Sequence, residues 1–338
     1  MRWYSWAVGA ALACAAQSPA AADESLRPLD TPLQWVTPQR IMAVRWEAGR
    51  IVPVSPWIEY GDFSPASPCQ EGESVVFDHY GSRLFFRGPD YHNPYWANDI
   101  KTLARARYNG AIASSIDLAW FWNPNRTDPP SGAQRCIIIL FMTEQFDAEC
   151  QNVHEGSSLQ GVLLDYWQLP AAAWRSLVCL RSIGGIPTPT TPSDDGNPGT
   201  ELLGGWKVYY AQAFDLNTGA ITLASGAQPL LGYIEGIGSS TPTQWDDDNP
   251  TDGVHTAPNE CYQYPTEGSS VLGGVLRLWV ECVSSGGDVD GNGCVDDADL
   301  LAVLFAFGSV ESTEDVNCDG VVDDADLLAV LFNFGSGC

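Results

Sequence analysis

The sequence is short of positive charge: 16 Lys and Arg stand against 42 Asp and Glu in 338 residues, a formal charge of −26. Affinity for nucleic acid and for anionic lipid rests on basic surface, so this composition disfavours both as partners. Histidine is equally sparse. His79, His92, His154 and His255 are scattered along the chain, a spacing that suits structural or surface roles better than catalysis. Gly-x-Ser-x-Gly, His-Glu-x-x-His, P-loop and dinucleotide-binding signatures are missing. So are Cys-x-x-Cys pairs and any Cys/His set with zinc spacing, which argues against a metal-thiolate site. After the first residues there is no plausible transmembrane segment, since a spanning helix needs about 20 apolar residues.

The first residues read as a targeting segment rather than as structure. Arg2 supplies a positive start, Trp3 to Ala16 is apolar, and Ala20 and Ala22 place small residues before Asp23. This pattern predicts a signal peptide over residues 1–22 and a secreted, extracellular protein. A minor alternative is lipoprotein anchoring through Cys14, because Ala11-Leu12-Ala13-Cys14 loosely matches a lipobox with its leucine one position late. Nine cysteines then remain: Cys69, Cys136, Cys150, Cys179, Cys261, Cys282, Cys294, Cys318 and Cys338. An oxidising compartment converts most of them into disulfides, and the odd count leaves at least one outside any intramolecular pair.

Residues 23–283 read as a mainly β body of the β-sandwich or jelly-roll kind. With 45% hydrophobic, 11% aromatic and 17% charged residues, the chain has the makings of packed domains. Short apolar or alternating runs recur between Gly, Pro, Asn and Asp clusters: 74–77, 83–86, 112–120, 136–142, 161–167, 177–180, 206–214, 220–223 and 272–282. The one expected helix in the body covers 171–176, opened by Pro170. Two aromatic clusters, 90–96 and 119–123, could stack on sugar, although tryptophan in such a fold more often fills the core. The loop 245–255 concentrates four carboxylates and His255, enough oxygen for a cation or simply for a solvated Asx-rich turn. Glycoside hydrolysis needs two facing carboxylates, for which Glu59, Asp117, Glu144, Asp165 and Glu281 are formally available. Nothing in the sequence selects a pair among them.

Residues 288–338, after a short linker at 284–287, carry the specific signal. The segment 288–308 recurs at an offset of 27 as 315–335, an internal duplication. Each copy has the spacing of a twelve-residue calcium loop. In the first, Asp288, Asp290 and Asn292 hold positions 1, 3 and 5, and Gly293 makes the turn. Cys294 offers a backbone carbonyl, and Asp296 and Asp299 hold positions 9 and 12. In the second copy the ligand places belong to Asp315, Asn317, Asp319, Val321 (by its carbonyl), Asp323 and Asp326. Two Ca²⁺ ions are the expected cofactors, and crowded carboxylates predict that the module folds only when they are bound. Helices are expected over 298–307 and 325–334. Being apolar nearly all round, they should bury every face against each other, the body, the tail or another protein.

These features resemble a type I dockerin: duplicated loop–helix units, aspartate at position 12 and no helix before the first loop. In that family the module is an EF-hand-like all-α unit that docks on a cohesin domain, often attaching polysaccharide-degrading enzymes to a scaffold. The resemblance therefore implies a cohesin-like partner. The partner-reading positions correspond to Asp297-Ala298 and Asp324-Ala325. The segment departs from the family in lacking Lys and Arg along its helices and in holding three cysteines. The stretch from Trp245 to Cys282 in turn resembles secreted bacterial β-domains, a likeness that implies no activity. The expected function is a secreted or cell-surface protein whose β-domain, without a catalytic constellation, serves adhesion, assembly or glycan binding and is attached through its dockerin-like module. The alternative is a polysaccharide-degrading glycoside hydrolase delivered by the same module.

Overall fold

The structure is a computed structural model. It describes residues 26–47, 50–60, 69, 73–81, 83–87, 95–103, 112–122, 136–142, 160–166, 169–187, 191–192, 201–224, 227–233, 237–238, 243–246, 261–263, 272–281, 286–309, 314–317, 319 and 321–338. The signal segment, His92, His154, His255, Glu144 and most of the 245–255 loop lie outside the described residues.

The body is mainly β, as expected, and three sheets build it. The largest runs in the order Cys261–Gln263, Thr243–Asp246, Tyr95–Leu103, Glu201–Phe214, Cys136–Met142, Gln160–Asp165, Arg40–Glu47, Arg50–Pro53. A second runs Gln34–Trp35, Ala172–Cys179, Ile112–Trp122, Leu276–Glu281, Glu73–Asp78. A small third sheet joins Leu26–Pro28, Leu84–Arg87, Leu231–Tyr233 and Leu272–Gly274.

Alternation along the central strands decides what faces what. Ile137, Ile139 and Phe141 point into one core with Trp206, Val208, Tyr210, Val162 and Leu164 from the same sheet. They meet Ile116, Leu118, Trp120, Trp122, Trp174, Val178, Leu276, Leu278 and Val280 from the second sheet. Two sheets therefore share one core. The intervening residues Ile138 and Leu140 pack on the outer side with Met42, Val44, Leu163 and Tyr209. Trp120 and Trp122 are buried, so this aromatic cluster fills the core and does not offer a sugar platform.

The expected helix at 171–176 is not formed. Ala172–Cys179 is a strand that pairs antiparallel with Ile112–Trp122 over eight residues, from Ala172 opposite Trp122 to Cys179 opposite Ser115. Alanine favours helix locally. Here, however, period-2 alternation sends Trp174 and Val178 into the core, and Ile112–Trp122 on one side with Gln34–Trp35 on the other supply ladder partners, so tertiary pairing outweighs propensity. Cys69 is joined to Cys179, at the end of this strand, by a disulfide that closes 110 residues of chain. Cys136 remains a buried thiol outside any disulfide, in keeping with the odd cysteine count.

His79 is fully buried, and its ring nitrogens make no hydrogen bond of ordinary geometry, although the Gly274 backbone lies close enough to act on the ring. Burial pushes its pKa down to about 3, with the Gly274 backbone offsetting a part. A depressed histidine pKa means that the unfolded chain takes up the proton first. Stability is therefore full above pH 6.5 and falls as pH drops from there toward 3, by up to about 1.4 kcal/mol per pH unit. His79→Leu is expected to flatten this limb relative to the parent in urea melts between pH 4 and 7. Parallel pH profiles for the two proteins would reject it.

Candidate metal centre

Each unit of the C-terminal segment folds as a loop followed by a short helix, α1 at Asp297–Phe305 and α2 at Asp324–Asn333. Asp296 and Asp323 cap them, each accepting from the backbone two residues on, at 2.8 Å. The position-12 residues close the capping boxes, Asp299 Oδ2 accepting from Asp296 N and Asp326 Oδ2 from Asp323 N, both at 2.8 Å. One aspartate thus ties the start of the helix to the loop before it. Asp299 Oδ1 also accepts from Val289 N at 2.6 Å and Asp290 N at 3.0 Å, and Asp326 Oδ1 accepts from Asn317 N at 2.9 Å. Both position-12 carboxylates are wholly buried.

The first loop brings three of its six expected ligands together. Carboxylate oxygens of Asp288, Asp290 and Asp299 all lie within 4.8 Å of one another. Asp288 Oδ2 accepts from Gly293 N at 3.0 Å, whereas Asp288 Oδ1 is buried without a hydrogen-bond partner. A carboxylate oxygen left in that state is costly unless a cation meets it. Gly293 turns the chain at φ 92°, where a Cβ is strained. Asn292 Oδ1 accepts from Cys294 N at 2.8 Å, and Asp296 stands at the loop exit. The donor set is hard oxygen throughout, because the Cys294 sulfur is committed to a disulfide with Cys338 and cannot act as a thiolate. That set fits Ca²⁺ and not a soft metal.

In the second loop Asp315 is buried, its Oδ1 accepting from Asp319 N at 3.2 Å. Asn317 Oδ1 accepts from the same amide at 2.8 Å, and Asp319 Oδ1 from Val321 N at 3.1 Å. Position 6, Gly320, lies outside the described residues.

A small core unites the two units: Val289, Val295 and Val303 from the first meet Val316, Val322 and Val330 from the second. The loops also hold each other's helix ends. Val322 N donates to Ser309 O at 2.9 Å, and Val322 O accepts from Gly308 N at 2.8 Å. Val295 repeats the arrangement with Ser336 and Gly335 at the same two distances.

The helices do not bury every face. Leu301, Leu304 and Phe305 on α1, and Leu328, Leu331 and Phe332 on α2, stand out of the core, with Phe305 87% and Phe332 83% exposed. The inward faces, centred on Val303 and Val330, are narrow, and two helices of 9 and 10 residues cannot cover each other's remaining sides.

The carboxylates suggested for catalysis are accounted for differently. Asp117 is buried, and its carboxylate takes Arg175 Nη2 at 2.5 Å and the Tyr80 hydroxyl at 2.6 Å. Asp165, equally buried and in another sheet, takes Arg40 Nε at 2.7 Å. Glu281 pairs with Arg181 at 2.8 Å, and Glu59 is exposed. Among the described members of that group, the two buried carboxylates are each paired with a guanidinium.

Sequence reasoning missed Lys207. It is wholly buried beside the Trp46 ring, 4.9 Å from its centroid, and burial pushes its pKa down to about 7. The signal available was alternation, which sets Lys207 on the same face as Tyr209.

No family model, curated protein or solved structure matches the chain.

Proposed function

We propose that this is a secreted protein whose β-sandwich-type body is carried by a dockerin-like C-terminal module that binds two Ca²⁺ ions and docks on a partner domain. The observation that carries the reading is the duplicated loop–helix unit. In its first loop three carboxylates converge as a cation site requires, and each helix leaves apolar side chains uncovered. When bound, Ca²⁺ neutralises the converging carboxylates. Asp288, Asp290, Asn292, Asp296, Asp299 and the Cys294 carbonyl hold the first ion; Asp315, Asn317, Asp319, Asp323, Asp326 and the Val321 carbonyl hold the second.

Charge selects the partner for the exposed face. Residues 288–338 contain ten Asp, two Glu and no Lys or Arg, so a second copy would set like charge against like. The complement is a separate domain, cohesin-like in role, with an apolar surface rimmed by Lys and Arg.

Asp288→Ala and Asp315→Ala should each lower the calcium stoichiometry from two ions to one, measured by calorimetric titration of the chelator-treated chain. Unchanged stoichiometry in both variants rejects the ligand assignment. For docking, pull-downs from the producer's secreted proteins should recover one partner only with calcium, and Phe305→Ser/Phe332→Ser should abolish recovery. Capture insensitive to both calcium and the two phenylalanines rejects the docking face.

A further inference from the structure

We propose that Cys338 is a positioning residue for the first calcium loop. Its disulfide to Cys294 holds that loop near its liganded shape, so the first loop binds Ca²⁺ about tenfold more tightly with the bond than without it, while the second loop is indifferent to it. The proposal rests on the calcium reading above.

The duplication supplies an internal control. Both loops present four aspartates and one asparagine, with Asp290 and Asn292 of the first replaced by Asn317 and Asp319 in the second. Ligand charge is therefore equal, and it does not separate the two sites. Among the ligand places what separates them is position 7; position 4, which supplies no ligand, also differs, with Gly291 in the first loop and Cys318 in the second. In the first loop it is Cys294, bonded to the last residue of the chain. In the second it is Val321, which has no sulfur to bond and is exposed.

The tail is fitted to the first loop on both sides of that bond. Val295, the next residue, exchanges hydrogen bonds with Gly335 and Ser336. Gly337 lies so close to Gly293 that a Cβ there would fall 2.1 Å from the Gly293 carbonyl oxygen. Gly337 also has φ 77°, which favours glycine. Positions 6, 7 and 8 of the first loop are thus held together by the last four residues. The hydrogen-bonded pair recurs at Val322 with Gly308 and Ser309, so the disulfide is an addition to a shared design.

Position 7 offers its backbone carbonyl to the ion, and a cross-link through that residue limits the shapes open to the empty loop. Less ordering entropy is then lost when calcium binds. A bond that merely stabilised the module would act on both loops alike, because they share one valine core.

The test uses the full chain without reductant, titrated with calcium in a calorimeter. Asp315→Ala isolates the first loop and Asp288→Ala the second. Each is compared with and without the pair Cys294→Ser/Cys338→Ser, which keeps the position-7 carbonyl. The expected result is an affinity about tenfold weaker at the first loop and within twofold at the second. Retained binding at the second loop shows that the module without this disulfide still folds. Equal weakening of both loops, or no change in either, overturns the proposal. If the parent chain binds no calcium at all, the calcium reading itself fails and the proposal falls with it, which separates the two failures.

Discussion

Excess chelator is expected to unfold residues 288–338 and leave the melting of the β-body where it is with calcium. Three observations set the size of the effect. The module's core is six valines, little apolar surface for 51 residues. Helices of 9 and 10 residues do not persist alone in water. Ten aspartates, five of them at ligand places in the first loop or flanking its exit, repel one another when no cation is present. An ion at about a hundredfold above its dissociation constant contributes about 2.7 kcal/mol per site, so two sites supply about 5 kcal/mol. That is of the order of a small domain's whole stability. Differential scanning calorimetry with excess calcium and with chelator should show a second transition only in the former. The Cys294–Cys338 bond limits how far the calcium-free chain expands, so helical circular dichroism is the more sensitive readout. Superimposable traces under both conditions would sink the expectation.

Arg175→Ala should strongly destabilise the body, costing about 3 to 5 kcal/mol. Its guanidinium forks onto Asp117, Nε at 3.0 and 3.1 Å and Nη2 at 2.5 Å, and lies between the Trp35 and Tyr80 rings. Asp117 is almost fully buried in the strand Ile112–Trp122, so truncating the arginine leaves a carboxylate with the Tyr80 hydroxyl alone. Nearby Arg277 pairs with Asp78 and stacks over Tyr80 and Trp279, but Asp78 keeps some contact with water. Arg277→Ala should therefore cost only about 1 kcal/mol. Replacing both buried partners, Asp117→Leu with Arg175→Met, should recover most of the loss, since no charge is then stranded. Urea melts of the body transition measure all three. An Arg175→Ala protein within about 1 kcal/mol of the parent would show that Asp117 is satisfied by something else.

Legibility followed the range of the interactions. The strand Cys136–Met142 was recognisable because its apolar run is continuous, as a strand buried on both faces must be. The strands Arg40–Glu47 and Tyr95–Leu103 were not anticipated, since arginine, asparagine, aspartate and lysine interrupt their patterns. Leu272–Cys282 was read as one run, yet Val275 breaks it between two sheets. Ala172–Cys179 was mistaken in part for a helix, because eight ladder partners in a distant strand leave no trace in its own residues. The pairs Asp117–Arg175 and Arg40–Asp165 span 58 and 125 residues of chain and could not be found from either end.

The sequence by itself determined the spacing of the candidate ligands in the first acidic loop. Twelve consecutive residues set the ligand places, and the twelfth also closes the helix cap, so all the information is local. It determined equally that the body would be mainly β, because alternation and turn residues are local too. Only the tertiary structure decided that Asp117 and Asp165 meet guanidinium groups. Only it joined Cys338 to the position-7 residue of the first loop, and only it left Phe305 and Phe332 uncovered. These outcomes depend on which distant surfaces come together, and a residue's own neighbours in sequence carry no record of that.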